Sequence, residues 1–259
     1  MRNRFSRASI VDPTSTFVVT MTTHGARLRD VHVALESIAR GTVLPARVIL
    51  WLDEERELTA SLRRLQRRGL EIITVPKGLG VHTKYFPYVE SLDAHTAALV
   101  TSDDDIIYPP DWLSGLVDAS TRYPESIVCY RAHRITFDGD VMAPYAQWVP
   151  AEGRQPTPLH FGTSVSGQVF PAHLLQILQG YGKEFLEKTP KNDDIWVHRV
   201  AVAHGIGVAL VREQPQHFPF VPGTQASGLY MENAWGGLND SQNAATYTAD
   251  DIAALLAAR

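Results

Sequence analysis

The chain has 259 residues, with 24 Lys and Arg against 28 Asp and Glu, a formal net charge of -4. Hydrophobic residues make up 44% and charged residues 20%, which excludes disorder as the dominant state, and the mild acidity argues against a general nucleic-acid binder. One cysteine, Cys129, excludes an internal disulfide framework and a thiolate zinc site. No apolar run reaches the roughly 18 residues of a membrane span. The N-terminus is basic through Arg2, Arg4 and Arg7, but no apolar stretch follows, so it reads as a frayed tail rather than a signal peptide.

Thr16 to Thr20 is a β-branched run that predicts a buried strand, followed by the polar turn Thr22-Thr23-His24-Gly25. Leu28, Val31, Leu35 and Ile38 recur at helical spacing. Arg47 to Leu52 predicts a second strand, ending at Asp53. Glu55 to Arg68 predicts an amphipathic helix with Leu58, Leu62 and Leu65 on one face and Gly69 as its stop. Leu70 to Val75 is a third strand, and a Gly-containing loop leads to a helical segment, Lys84 to His95. Ala97 to Thr101 is a fourth strand, Pro110 to Tyr123 a helix with Pro in its first turn, and Ser126 to Tyr130 a fifth strand. Regular alternation as far as Tyr130 implies crossover units and a mostly parallel sheet covered by helices.

From Phe137 to Phe170 the pattern loosens into Gly, Pro and aromatics. Order returns near Asn192, with a helix from Asp193 to His204 and a strand from Gly207 to Val211. Pro215 to Gln242 reads as loop. Thr248 to Ala258 is a closing helix, with Asp250 and Asp251 where the helix dipole favours them. No linker divides the chain, so the expectation is one domain, 1–259, in two halves.

The most informative residues are Asp103, Asp104 and Asp105, just beyond the fourth strand. In open α/β sheets that edge is where ligands bind. Neighbouring carboxylates about 5 Å apart in a partly buried site repel by a few kcal/mol, so they face water or a cation offsets them. In extended backbone Asp103 and Asp105 share a face, and two hard oxygen donors there suit Mg²⁺ or Mn²⁺.

The stretch from Val100 to Pro109, with its Asp103-Asp104-Asp105 core followed by Tyr108-Pro109, resembles the DxD region of nucleotide-sugar-dependent glycosyltransferases of the GT-A fold, in particular bacterial family-2-like enzymes. The resemblance extends to Val18 to Leu28, to Lys84-Tyr85, to the stretch from Asn192 to Val197, and to the stretch from Asn239 to Gln242. It implies a nucleotide-sugar-binding half at about 12–130 and an acceptor-binding, catalytic half at about 131–259. It makes Asp105 a metal ligand and points Asp103 toward the ribose or a metal-bound water, with Asp104 able to take either part. Thr22, Thr23 and Arg27 end the first strand and Asp53 the second, flanking base and ribose. Arg27 pairs with the diphosphate or with an acidic neighbour, or is a solvated helix residue. Lys84 meets nucleotide or phosphate, or is a surface lysine.

The same resemblance places the catalytic base of an inverting transferase at Asp193-Asp194, with Asp194 favoured; the competing reading is that these residues cap the helix. His217 is the candidate third metal ligand. Asn239-Asp240 reads as part of a loop closing over the donor. Trp148 and Trp235 either stack on sugars or pack in the core. The expected partners are a nucleotide-diphosphate sugar and a glycan or lipid-linked acceptor, not nucleic acid, and the expected location is cytoplasmic. Arg63, Arg64, Arg67 and Arg68 form either a solvated helix face or a contact with anionic lipid at the inner face of the membrane.

Two rivals stand beside this reading. Gly25-Ala26-Arg27-Leu28 resembles the G-x-R-L signature of sugar-phosphate nucleotidyltransferases, which also need a glycine-rich loop around the triphosphate; only Gly25 is present here. A non-enzymatic carbohydrate- or divalent-ion-binding module explains the triplet and the aromatics but leaves the second Asp pair without a purpose. Gly162 to Ser166 lacks the final glycine of a nucleophile elbow, which disfavours a serine hydrolase.

Overall fold

The computed structural model describes residues 6–224 and 237–259. Strands β1 (Phe17–Thr22), β2 (Arg47–Leu52), β3 (Leu70–Thr74) and β4 (Ala98–Thr101) alternate with helices α1 (Val31–Ile38), α2 (Ala60–Gln66) and α3 (Phe86–Glu90). Helix α4 (Trp112–Arg122) leads into β5 (Ile127–Cys129). Five short strands follow: β6 (Ala132–Arg134), β7 (Phe137–Asp138), β8 (Val141–Met142), β9 (Val149–Pro150) and β10 (His160–Gly162). Next come β11 (Gln168–Phe170), α5 (Ala172–Tyr181), α6 (Phe185–Lys188), α7 (Asp193–Ala203), β12 (Val208–Leu210), α8 (Leu238–Thr246) and α9 (Ala249–Ala257).

The main sheet has seven strands in the order β12-β5-β11-β4-β1-β2-β3. All neighbours are parallel except β11, which runs antiparallel to both β4 and β5. The carboxyl ends of β1, β2, β4 and β5 therefore share one edge. Side chains alternate through the sheet. Val19, Met21, Val48 and Leu50 face the layer of α1, α2 and α4, while Val18, Ile49 and Trp51 face the layer of α3, α5 and α7. Burial on both faces is why these strands read as continuous apolar runs. A second sheet, β10-β6-β9, and the hairpin β7-β8 carry a smaller core around Trp148 and Phe161.

Several elements depart from the sequence reading. The first helix begins with a 3-10 turn, Gly25–Arg29, so only its later part is α-helical. α2 begins late because the Thr59 side chain caps it, accepting from the Leu62 N–H. The helix expected from Lys84 to His95 shrinks to a 3-10 turn, Gly80–Lys84, and the short α3 with Pro87 in its first turn. The looser half holds β11, α5 and α6, which the sequence pattern did not reveal. Part of the expected loop from Pro215 to Gln242 is helix α8. The tail is pinned as far back as Ala8, whose carbonyl accepts from Arg68 Nε at 2.8 Å; residues 1–5 lie outside the described residues.

The arginines in and just beyond α2 do not form one basic face. Arg68 is buried against Glu36, with Nη1 2.6 Å from Oε1, and Arg63 pairs with Glu57. No helix among the described residues is long and apolar enough to cross a membrane.

Gly167 makes the turn between Ser164 and β11 at φ +99, and a Cβ there would lie 2.6 Å from Trp112 Nε1. The Trp112 N–H donates to the Ser166 carbonyl at 2.9 Å, so the ring cannot retreat without losing that bond. Gly167→Ala should destabilise the protein by about 1–3 kcal/mol, read as a lower denaturant midpoint with unchanged slope.

Candidate functional site

The site lies at the carboxyl edge of the sheet, where β4 delivers the acidic triplet. The chain turns at Asp104 and Asp105 instead of staying extended. Asp103 and Asp105 consequently do not share a face as expected; Asp104 and Asp105 share a cation. Arg27 Nη1 lies 2.9 Å from Asp104 Oδ1 and 3.2 Å from Asp105 Oδ2. Thr23 donates its hydroxyl to Asp104 Oδ2 at 2.6 Å. Of the three readings of Arg27, the acidic neighbour is the one realised.

Asp103 turns the other way. Its Oδ1 lies 2.6 Å from Lys84 Nζ, and its backbone N–H donates to the Tyr108 hydroxyl at 2.8 Å. Lys84 is a buried cation, not a surface lysine. Its backbone carbonyl accepts from Thr20 Oγ1, which in turn accepts from Trp51 Nε1. Its ammonium donates to Ser164 Oγ at 2.7 Å and lies 3.4 Å from Asp193 Oδ2. Burial opposes the charge on Lys84, but Asp103, Asp193 and Asp194 outweigh it and hold the ammonium well above the usual lysine range.

Asp193 and Asp194 open α7, yet neither caps it. Asn192 does, its Oδ1 accepting from the Ile195 N–H at 3.1 Å, while its amide donates to Asn239 Oδ1 at 2.9 Å. Both carboxylates are thereby released to the site. Asp194 Oδ1 accepts from the Ser164 N–H and from Gln168 Nε2, each at 3.0 Å. Oδ2 has no hydrogen bond among the described residues. Burial, and then the charge of Asp193, push the Asp194 carboxyl up to about 8, against the pull of Lys84. His82 braces the junction from behind. Its Nε2–H donates to the Thr189 carbonyl at 2.7 Å, leaving Nδ1 to accept from the Tyr85 hydroxyl, and burial pushes the ring down to about 4.

The remaining expected residues are more scattered. The Thr22 hydroxyl is used within the sheet, donating to the Trp51 carbonyl at 3.1 Å. Asp53 lines a small pocket with Thr23, His24, Leu28, Leu52 and Glu54, beyond the ends of β1 and β2. His217 packs on Phe220 with ring centroids 4.8 Å apart, and burial and Arg131 push it down while Asp103 pulls the other way. Asn239 and Asp240 are helical: Asp240 accepts from the Tyr145 N–H, so the loop reading is corrected. Trp148 is core, its indole N–H donating to the Ala143 carbonyl; Trp235 lies outside the described residues. Ser164, Gln168 and Asn192 are the members that sequence reasoning missed. The one signal was Gln168, a polar residue opening an apolar strand.

Among the described residues no group of three or more His, Cys, Asp or Glu is assembled to hold a metal ion. The donor chemistry nevertheless fits a hard divalent cation. Five carboxylates face two cations, Arg27 and Lys84, and a neutral Asp194 leaves two negative charges over. Mg²⁺-type ions commonly take one or two carboxylates and complete their shell with water and substrate phosphate.

No family model matches the chain, and the comparison with curated proteins gives no match. Solved structures do match in fold. A mannosyltransferase, PcManGT, from Pyrobaculum calidifontis, in complex with GDP-Man and Mn²⁺, aligns at TM-score 0.54 and 14% identity over 99% of this chain and 78% of its own. S. aureus TarS 1-349 aligns at TM-score 0.52 and 12% identity over 78% of this chain; the match spans 59% of the TarS length. The 4-diphosphocytidyl-2C-methyl-D-erythritol synthase from Anaerococcus prevotii aligns at TM-score 0.50 and 12% identity, over 89% and 98%. At such identities the likeness shows the fold: α/β, GT-A-like, with a mostly parallel central sheet flanked by helices.

The raised Asp194 carboxyl has a consequence for stability. Between about pH 4 and pH 8 the folded chain keeps a proton that the unfolded chain releases, so this group's contribution declines as pH rises through that window. Asp194→Asn keeps the acceptor for Ser164 and Gln168 and removes the titration. Its thermal midpoint should exceed that of the wild type by at least about 3 °C at pH 9, with no gain below pH 4.

Proposed function

We propose that the chain is a metal-dependent, inverting glycosyltransferase, moving a sugar from a nucleoside-diphosphate donor to a hydroxyl of a glycan or lipid-linked acceptor. The observation that carries this reading is Asp194: a carboxylate freed from capping duty, fixed through one oxygen by Ser164 and Gln168, with its other oxygen available. In its deprotonated form, a carboxylate held in that way takes the acceptor hydroxyl's proton as the oxygen attacks the anomeric carbon. Its raised proton affinity favours that transfer. Asp193 stays paired with Lys84 and supports the electrostatics.

On the donor side, Asp53 would accept from a base N–H, with Leu28 and Leu52 against the base and Thr22 and Thr23 bordering the ribose. Asp105 would hold Mn²⁺ or Mg²⁺, Asp103 would reach the ribose or a metal-bound water, and His217 would offer a neutral nitrogen. The ion would supply Lewis-acid stabilisation of the departing diphosphate. Arg27 keeps Asp104 and Asp105 oriented, and Lys84 keeps Asp103 in place. We place the enzyme in the cytoplasm, with the exposed Arg63 of α2 and Arg67 at its end available for peripheral contact with an anionic membrane.

A nucleotidyl-transfer reading has one specific observation in its favour, the near-complete coverage of the A. prevotii synthase. Against it stand the single glycine of the Gly25–Arg29 turn and the engagement of Arg27 with two aspartates. Product analysis separates the two, since glycosyl transfer releases a nucleoside diphosphate and nucleotidyl transfer releases pyrophosphate.

Nucleoside diphosphates with Mn²⁺ should raise the thermal midpoint, and Asp105→Ala should abolish the metal-dependent part of that rise. Asp194→Asn should retain the rise and lose about 10²- to 10⁴-fold in turnover. Transfer undiminished in Asp194→Asn would remove the base role from this residue.

A further inference from the structure

The cations of the site are unequally engaged. Arg27 and Lys84 each lie within salt-bridge distance of two aspartates. Arg131, on the far side, has no carboxylate within that distance among the described residues. It follows β5 directly, at the same carboxyl edge that carries the triplet. Its carbonyl accepts from the Thr163 N–H at 2.9 Å, extending the β6-β10 register by one residue, and its Nη1 donates to Thr163 Oγ1 at 3.0 Å. The next residue, Ser164, holds both Lys84 and Asp194. The Arg131 guanidinium is therefore anchored one residue from the groups that face the reaction.

Its surroundings give it no ion pair among the described residues. The Gln216 N–H donates to the Tyr130 carbonyl at 2.8 Å, which brings His217 alongside Arg131. His133 sits two residues further on, in β6, and its Nδ1 is buried without a hydrogen-bond partner among the described residues. Burial first, and Arg131 second, push the His133 ring down to about 4. On this wall no carboxylate among the described residues pairs with Arg131. A half-buried guanidinium is costly to leave unpaired. It has five N–H donors in a planar fork, and Thr163 occupies one. That fork suits the oxygens of a phosphate better than a neutral sugar hydroxyl.

We infer that Arg131 is the recognition point for a phosphate group, opposite the acidic triplet, carried by the donor's diphosphate or by a phosphorylated acceptor. The inference rests on the transferase reading only for which molecule brings the phosphate. Calorimetric titrations compare the wild type with Arg131→Gln and Arg131→Lys, in Mn²⁺ buffer. One arm uses GDP and UDP, and the other uses inorganic phosphate added to protein saturated with the tighter of the two nucleotides, or to free protein if neither binds.

A tenfold or greater loss of nucleoside diphosphate affinity in Arg131→Gln assigns the phosphate to the donor. Unchanged nucleotide affinity with a tenfold or greater loss of inorganic phosphate binding assigns it to the acceptor. Arg131→Lys should retain more affinity than Arg131→Gln in the affected arm, which separates loss of charge from loss of fold, and both variants should unfold at the wild-type temperature within about 2 °C. If the wild type takes up inorganic phosphate through Arg131 but neither nucleotide, the inference stands and the transferase reading falls. Equal binding by wild type and Arg131→Gln in both arms, or no binding of either probe by the wild type, overturns it.

Discussion

One buried ammonium holds the candidate site together. Lys84 reaches Asp103 at the tip of β4 and Asp193 at the start of α7, and it donates to Ser164 between them. Stripping water from an ammonium costs several kcal/mol, and only close opposite charge and hydrogen bonds offset that cost. Here the two carboxylates come from segments ninety residues apart in sequence, Asp103 and Asp193, so neither half of the chain can satisfy the lysine alone. The backbone of Lys84 is fixed as well, through Thr20 and Trp51 beneath it. The lysine thus sets the distance between the acidic triplet and the second aspartate pair.

That arrangement leaves a deliberate imbalance at Asp194. Its neighbours Asp193 and Lys84 already satisfy each other, and burial penalises a further charge, so Asp194 holds its proton more tightly than an ordinary carboxyl. Asn192 makes this tolerable for the helix by taking over the cap, which leaves the backbone donors of α7 served without help from Asp194. Ser164 and Gln168 then hold one oxygen still. A group so placed weakens the fold at alkaline pH, and carboxyls with raised proton affinity are common at functional sites.

The parallel part of the fold was legible because its strands are buried on both faces. Runs such as Val48 to Leu52 have no other reading, and β2 falls on Arg47–Leu52 as the pattern indicated. The acidic triplet was legible from its place after an apolar strand. Its internal geometry was not: whether Asp103 or Asp104 stands beside Asp105 depends on a turn that the one-dimensional pattern does not encode. Lys84 was singled out by resemblance, but its burial gave no local signal, because Ser164 and Asp193, eighty or more positions away, produce it. Strand β11 escaped for a different reason. Gln168–Phe170 is too short for periodicity, and its antiparallel pairing with β4 and β5 is a property of the assembled sheet.

The place of β11 also governs the order in which the sheet can be built. β4 and β5 are neighbours in sequence but never touch in the ladder; β11 lies between them. A ribosome that has delivered the chain as far as Tyr130 has supplied both banks of a channel and nothing to span it. β5 must wait, apolar and unpaired, until the strand that bridges the gap emerges. The opening half is therefore not a free-standing unit: its seam is closed from the other side.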